Sequence, residues 1–490
     1  MLYFFADFMK KIDNATVQRI LDATDIVEVV GDFVSLKRKG ANYWGLCPFH
    51  NDRSPSFSVS KSRGLCKCFS CGEGGSAVNF LMKLEHIGYY DALRYLARKY
   101  NIDIQEREMT PEEERRETAR DSMFALNDFA MRRFEKNLVE TPEGRDVGLS
   151  YFRHRGISDP MIEKFHLGYA LEERDILYRQ ALEHGYSEDY MLATGLCTRT
   201  DDGRVYDRFR GRVIYPVHTL GGKVVAFGGR TLRSDKKLAK YVNSPESDIY
   251  SKRREIYGLY QAKGEIVKQS KCIIVEGYMD VISMHQAGVC NVVASSGTAL
   301  TVEQVRLIKR FTTNVTLIYD ADAAGIKASL RGIELLLQDD MDVKVLLLPP
   351  GEDPDSFAQS HSSTKVQEYI AANETDFITF MARILLDGVA DNDPAARSEV
   401  ITRIVKTIAL IPNEITRSVY VQECSRLMFI SEDVLARQVG RYYNELALKS
   451  REERQRQAPL TVDEPIDTTV TDSPAQTAEA PTTAQPTQTA

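Results

Sequence analysis

No apolar run in this 490-residue chain approaches the roughly 20 residues that a membrane-spanning helix needs. The opening Met1–Asp7 is apolar but lacks a basic n-region and is broken by Asp7, so it is a poor secretory signal. Met9 is an alternative start. Cysteine is scarce, eight in all and several tightly clustered, which argues for a reducing compartment and a metal rather than a disulfide framework. A cytoplasmic location is expected. There is no G-x-x-x-x-G-K-[ST] loop, so no ATPase of that kind is fused to the chain. Internal repeats are absent too, and the length suggests two to four folded units.

Basic residues are missing from Pro459–Ala490, which holds five acids and no Lys or Arg. Most of the net charge of −7 therefore sits in that tail, and a nearly neutral body can still carry a basic groove. The tail is rich in Thr, Pro, Ala and Gln and cannot bury a core, so disorder is expected over 449–490. Residues 1–104 form a compact first unit around the cysteine cluster. The charged run Glu106–Glu117, with Pro111 inside it, reads as a linker (105–118) passing into a solvated helix.

A second body begins near Ala119, and its 119–270 part carries the basic residues. Within 271–357, apolar strands are expected at Cys272–Glu276, Asn291–Ser295, Val315–Tyr319 and Val343–Leu348. Helices are expected at Met279–Ala287, Thr301–Phe311 with Thr301 as N-cap, and Ala323–Gln338. This alternation implies a parallel, doubly wound sheet. Apolar spacing of three to four (Ile401, Ile404, Val405, Ile408) makes the 358–448 region helical. The fold class is thus multidomain α+β: a zinc-ribbon-like β domain, an α/β core with a parallel-sheet subdomain, a helical bundle and a disordered tail.

In such a sheet function collects beyond the carboxyl ends of the strands. Glu276 ends the first strand, Asp320 and Asp322 the third, and Gly351–Ser356, with Asp353 and Asp355, follows the fourth. Ser295–Thr298 after the second strand are small enough for a phosphate to approach. One Asp-X-Asp after a strand is more often a turn with a helix cap than a metal site, and Pro354 alone would be a rigid turn. Three acidic groups on one rim favour a hard divalent cation, Mg²⁺ or Mn²⁺. Val275–Asp280, Asp320–Asp322 with Gly325, and Glu352–Asp355 resemble the Toprim domain, in particular its primase branch.

Cys47 and His50, then seventeen residues, then Cys68 and Cys71 have the spacing of a closed, tetrahedral structural Zn²⁺ site. Cys66 is a surplus thiol assigned to packing or redox sensitivity. Around it Lys37–Lys39, Asn42–Trp44, Phe57, Lys61, Arg63, Lys67 and Phe69 mix bases with aromatics, the chemistry of single-strand binding. Taken singly, Trp44 and Phe57 are more often core. Phe33–Lys37, Cys47–His50, Pro55–Phe57 and Cys71–Gly75 resemble the N-terminal zinc domain of DnaG-type bacterial primases, which by that resemblance contacts template.

Residues 204–254 hold thirteen Lys or Arg against four acids. A solvated charged face is the usual reading of such a run. Beside a cation site it becomes a groove for template phosphates and triphosphates, with Arg210, Arg212, Arg230, Lys240 and Asn243 as candidates. Arg208–Arg212, Phe227–Arg230, Lys240–Pro245, Arg155–Gly156 and Phe165–Tyr169 also resemble the primase core.

The resemblance covers most of 11–357, and more loosely the helices to about 448, and implies a DNA-dependent RNA polymerase making short RNA primers on single-stranded DNA. By it, Asp320, Asp322, Asp353 and Asp355 hold the divalent cation, Glu276 joins them or carries a proton, and Asp280 is a weaker candidate. The replicative helicase is the implied partner, with its docking domain reduced to the helices of 364–448 or missing, and a monomer is expected. Two rivals remain: Toprim-type DNA cleavage, as in topoisomerases and nucleases, though no Tyr lies in a recognisable cleavage motif, and a non-catalytic DNA-binding protein of the recombination-mediator kind.

Overall fold

A computed structural model describes residues 10–457 except 51, 53, 54, 86, 105, 109, 110, 234, 236, 237, 296, 298, 321 and 388–392. Ser296, Thr298, the alternative start and the tail from 458 therefore lie outside the described residues.

The first unit is built on a five-stranded antiparallel sheet whose strands lie in chain order: Lys37–Lys39, Asn42–Gly45, Phe57–Ser60, Leu65–Cys68 and Gly74–Gly75. Helices Asn14–Ala23, Ile26–Gly31, Ala77–Leu84 and Tyr89–Lys99 cover it. Phe57, Val59, Phe80, Leu81, Leu93 and Leu96 fill the space between helices and sheet. The charged run after this unit, expected as a linker passing into a helix, holds a short strand and a long helix. Glu106–Glu108 pairs antiparallel with Lys10–Ile12, joining the unit's two ends, and a helix then runs from Pro111 to Glu140.

The next layer is an antiparallel sheet in the order Tyr241–Asn243, Val224–Thr231, Arg212–His218, Gly168–Ala170. Its long hairpin is buried along almost its whole length.

The parallel sheet follows in the order Val292–Ala294, Cys272–Val275, Asn314–Tyr319, Asp342–Leu347, with Thr375–Asp376 antiparallel at the edge. The strand formed first lies between the second and the third. The chain therefore leaves it in opposite directions, and a crevice opens between the ends of Cys272–Val275 and Asn314–Tyr319, as at other topological switch points. Helix Ala323–Gln338 has the expected bounds, and Val302–Lys309 starts on Thr301, whose hydroxyl accepts the Gln304 N–H.

Helices Phe377–Leu386, Pro394–Ile408, Glu414–Met428 and Glu432–Gln457 complete the fold. Their apolar faces (Ile404, Ile408, Val421, Leu435) share one core with Val315 and Leu317 of the sheet. The last helix continues past Leu448 to Gln457, into the stretch expected to be tail. No helix among the described residues is long and apolar enough to cross a membrane.

Candidate active site and zinc centre

The four expected zinc ligands come together. Ligand atoms of Cys47, His50, Cys68 and Cys71 all lie within 4.8 Å of one another, the one such cluster of three or more metal-binding side chains among the described residues. Cys47 Sγ is 3.7 Å from Cys71 Sγ, and Cys68 Sγ is 3.9 Å from His50 Nδ1. Burial disfavours the Cys68 thiolate, but the Cys71 and Ser70 N–H groups and the Ser56 hydroxyl outweigh it and bring the thiol down to about 6. That is a cradle prepared for a thiolate ligand, and the donor set fits zinc. Cys66 is buried in the domain core and donates to the Gly75 carbonyl, a packing role. Phe57 is also core, whereas Phe69 is 67% exposed and stacks on Trp44 at 5.6 Å.

The second centre lies at the switch point. A cavity of about 540 Å³ is lined by Glu276, Asp280, Asp320 and Asp353 together with Tyr241 and Asn243. Local backbone chemistry places three of the acids, of which Asp322 is not among the residues lining the cavity. Asp280, in the first turn of helix Tyr278–Gln286, accepts the Gly277 N–H at 2.8 Å. Asp322 caps Ala323–Gln338 by accepting the Gly325 N–H at 2.7 Å. Asp353 caps Pro354–Ser360 through the Ser356 N–H at 2.7 Å. The helix start presses so closely on the strand end that a Cβ at Gly325 would sit 2.2 Å from the Asp320 carbonyl oxygen, so only glycine fits. Capping and cation holding are therefore compatible, because a capping carboxylate keeps a second oxygen.

Electrostatics singles out this cavity. Burial, then Asp320 and Asp322, raise the Glu276 carboxyl, and burial, then Asp353 and Asp322, raise Asp320. Burial, then Asp353, Asp355 and Asp320, push Asp280 up to about 7. Glu276 Oε1 is buried with no hydrogen-bond partner. An orphaned carboxylate oxygen among like charges fits a hard divalent cation, which would repay both costs.

Two expected residues have other partners. Asp355 is 3% exposed, and both its oxygens are engaged: one with Arg155 Nη1 at 2.5 Å, the other accepting from Ser283 and Gln359. It acts on Asp280 through its charge but does not line the cavity. Arg212 is 7% exposed, and its guanidinium donates to the Ala239 and Lys240 carbonyls, so it braces a loop.

Of the other bases, Arg230 lies over the Tyr151 and Tyr241 rings at 4.9 and 5.8 Å, Arg210 lies over Tyr206, and Lys240 is exposed. Asn243 accepts from the Tyr278 hydroxyl at 3.0 Å at the cavity wall. Sequence reasoning missed Tyr241 and Arg331, both lining the cavity. Tyr241 sat inside the singled-out Lys240–Pro245 run, but Arg331 is mid-helix and carries no local signal.

Four family models match the chain: "CHC2 zinc finger" over 12–112, "DNA primase catalytic core, N-terminal domain" over 134–263, "Toprim-like" over 273–358 and "DnaB-helicase binding domain of primase" over 378–433. The last falls on helices in the region where a docking domain is expected to be reduced or missing. The DNA primase of Halalkalibacterium halodurans is 36% identical over 447 residues, 89% of this chain and 72% of that protein. That of Clostridium acetobutylicum is 38% identical over 423 residues, 86% of this chain and 68% of that protein. Among solved structures, the zinc-binding and RNA polymerase domains of the Aquifex aeolicus primase match with a TM-score of 0.57 and 30% identity, covering 86% of this chain and 98% of that one. A DnaG primase catalytic domain bound to ssDNA matches with a TM-score of 0.57 and 31% identity over 63% of this chain and 99% of its own.

Proposed function

The chain belongs to the DnaG-type bacterial DNA primase family, and from that premise we propose that it performs nucleotidyl transfer at the carboxylate cavity, making short RNA primers on single-stranded DNA. A 3′-hydroxyl attacks the α-phosphorus of a ribonucleoside triphosphate. A P–O bond forms there, the bond to pyrophosphate breaks, and the hydroxyl proton is lost to a base. Glu276, Asp320, Asp322 and Asp353 would hold Mg²⁺ or Mn²⁺, which when bound neutralises charge on the attacking and leaving oxygens. Asp280, with its raised carboxyl group, is suited to hold a proton nearby, and Glu276 either joins in holding the cation or takes that role. Asp355, expected as a fifth ligand, would instead hold Arg155 and the start of the Asp353 helix.

Arg230, Lys240, Arg210 and Asn243 would position template and triphosphate, with Arg212 supporting the loop that carries Lys240. In this reading 1–104 contacts template, 119–270 supplies the basic groove, 271–357 the cation site, and 358–448, matched in part by the helicase-binding model, meets the replicative helicase. The protein would act as a cytoplasmic monomer.

The observation that carries the reading is the orphaned, buried Glu276 oxygen in a carboxyl group whose ionised form the charges of Asp320 and Asp322 disfavour. The test is primer synthesis on single-stranded DNA with labelled ribonucleotides and Mg²⁺ or Mn²⁺, comparing wild type with Asp320→Ala. RNA from wild type and none from the variant supports it. DNA cleavage without nucleotides, or equal synthesis by both proteins, rejects it.

A further inference from the structure

Among the described residues that line the carboxylate cavity one side chain is cationic, and no role given above uses it. Arg331 lies on helix Ala323–Gln338 and lines the cavity beside Ala328 and Gly332. That helix lies tightly on the sheet: a Cβ at Gly332 would meet Leu317 Cδ1 at 3.1 Å. Side chains in a helix lean towards its N-terminus, which here is the end where Asp320 and Asp322 sit.

Lys327, one turn before Arg331, and Lys240 are exposed but are not among the residues lining the cavity, and other nearby cations have partners. Arg306 is paired with Asp339, Lys309 with the Asp339 carbonyl, Arg155 with Asp355 and Arg230 with the Tyr151 hydroxyl. Arg331 has no ion pair or hydrogen bond among the described residues. An exposed, unpaired guanidinium is common on a solvated helix face. One that shares a cavity with four acids and is not drawn into pairing with them is placed for a ligand that is itself an anion.

We propose that Arg331 binds the β- and γ-phosphates of the incoming triphosphate, and then the pyrophosphate as it leaves. This rests on the reading of the cavity given above. The α-phosphate must meet the cation held by Glu276 and Asp320, and the rest of the triphosphate is repelled by the remaining acids. Arg331 supplies the cation in the lining, and the small side chains of Ala328, Gly332 and Ala299 leave room beside it. A guanidinium offers forked donors that match two phosphate oxygens, which an ammonium does not.

The test compares wild type, Arg331→Ala and Arg331→Lys in two assays. One is calorimetric binding of inorganic pyrophosphate with Mg²⁺. The other is primer extension with varied nucleotide and added pyrophosphate. Arg331→Ala should weaken pyrophosphate binding about 10- to 100-fold and raise the nucleotide KM to match, with Arg331→Lys between. Single-stranded DNA affinity and Tm should stay as in wild type, which a merely structural role would not allow. Equal pyrophosphate binding by wild type and Arg331→Ala overturns the proposal. If wild type makes no primers yet loses pyrophosphate binding on substitution, the anion site stands and the reaction assigned to it falls.

Discussion

Arg155 and Asp355, two hundred residues apart in sequence, form a 2.5 Å ion pair that ties the polymerase core to the helix after the fourth parallel strand. Arg155 is partly exposed and Asp355 is buried. Arg155→Ala therefore leaves a carboxylate that keeps Ser283 and Gln359 but loses its countercharge, at about 2 kcal/mol. Because Asp355 begins the helix that Asp353 caps, primer synthesis should fall as well. Asp355→Asn, which can still accept from Ser283, should cost less stability than Arg155→Ala. Chemical denaturation of both variants checks this, and an Arg155→Ala protein as stable as wild type would count against the strut.

The zinc centre should stabilise only its own domain. Cys68→Ser removes the thiolate at the middle of the donor cradle, and closed sites of this kind supply folding energy directly. We expect loss of bound zinc and rapid amide exchange across Phe57–Ser60 and Leu65–Cys68, with exchange in Asn314–Tyr319 unchanged. Hydrogen exchange with mass spectrometry reads both at once. Slow exchange in a zinc-free variant would contradict a structural role.

Two buried histidines predict acid sensitivity remote from the acids. Burial, then the Lys164 charge, hold His285 down to about 3, and burial, then His166, hold His218 down to about 4. Both are neutral in the fold but charge at their usual value near 6.5 once unfolded. Their contribution is thus present above that value and is lost as pH falls from about 6.5 towards 4, by about 2 kcal/mol each at pH 5. Urea midpoints at pH 7.5 and pH 5 should differ by less in His218→Gln than in wild type. The same pH dependence in both would exclude His218 as a contributor.

The parts legible in the sequence are those set by local pattern. Cys47, His50, Cys68 and Cys71 announce themselves by spacing, Thr301 and Asp322 by preceding apolar helices, and the rim of acids by alternation of strand and helix. What could not be read depends on partners distant in the chain. Nothing near Asp355 says that Arg155 neutralises it, and nothing in Glu106–Glu108 says that Lys10–Ile12 pairs with it. A count of basic residues likewise cannot separate a buried brace from a free cation. Arg212 and Lys240 look equivalent as letters, and only burial distinguishes them.

That distinction makes the last prediction. Lys240 is exposed beside the cavity wall, so Lys240→Ala should leave Tm unchanged and weaken single-stranded DNA binding alike for all sequences. It should lower the slope of log affinity against log salt by about 0.7, the value for one phosphate contact on a single strand. Arg212 donates to the Ala239 and Lys240 carbonyls from a buried position. Arg212→Ala should therefore lower Tm, because two carbonyls lose their donor, while leaving the salt slope as in wild type. Fluorescence anisotropy between 50 and 200 mM salt, with thermal melts of both variants, separates the two. If Arg212→Ala lowers the slope while keeping its Tm, the guanidinium leaves its loop to meet the template, and the assignment of Arg212 as a brace fails.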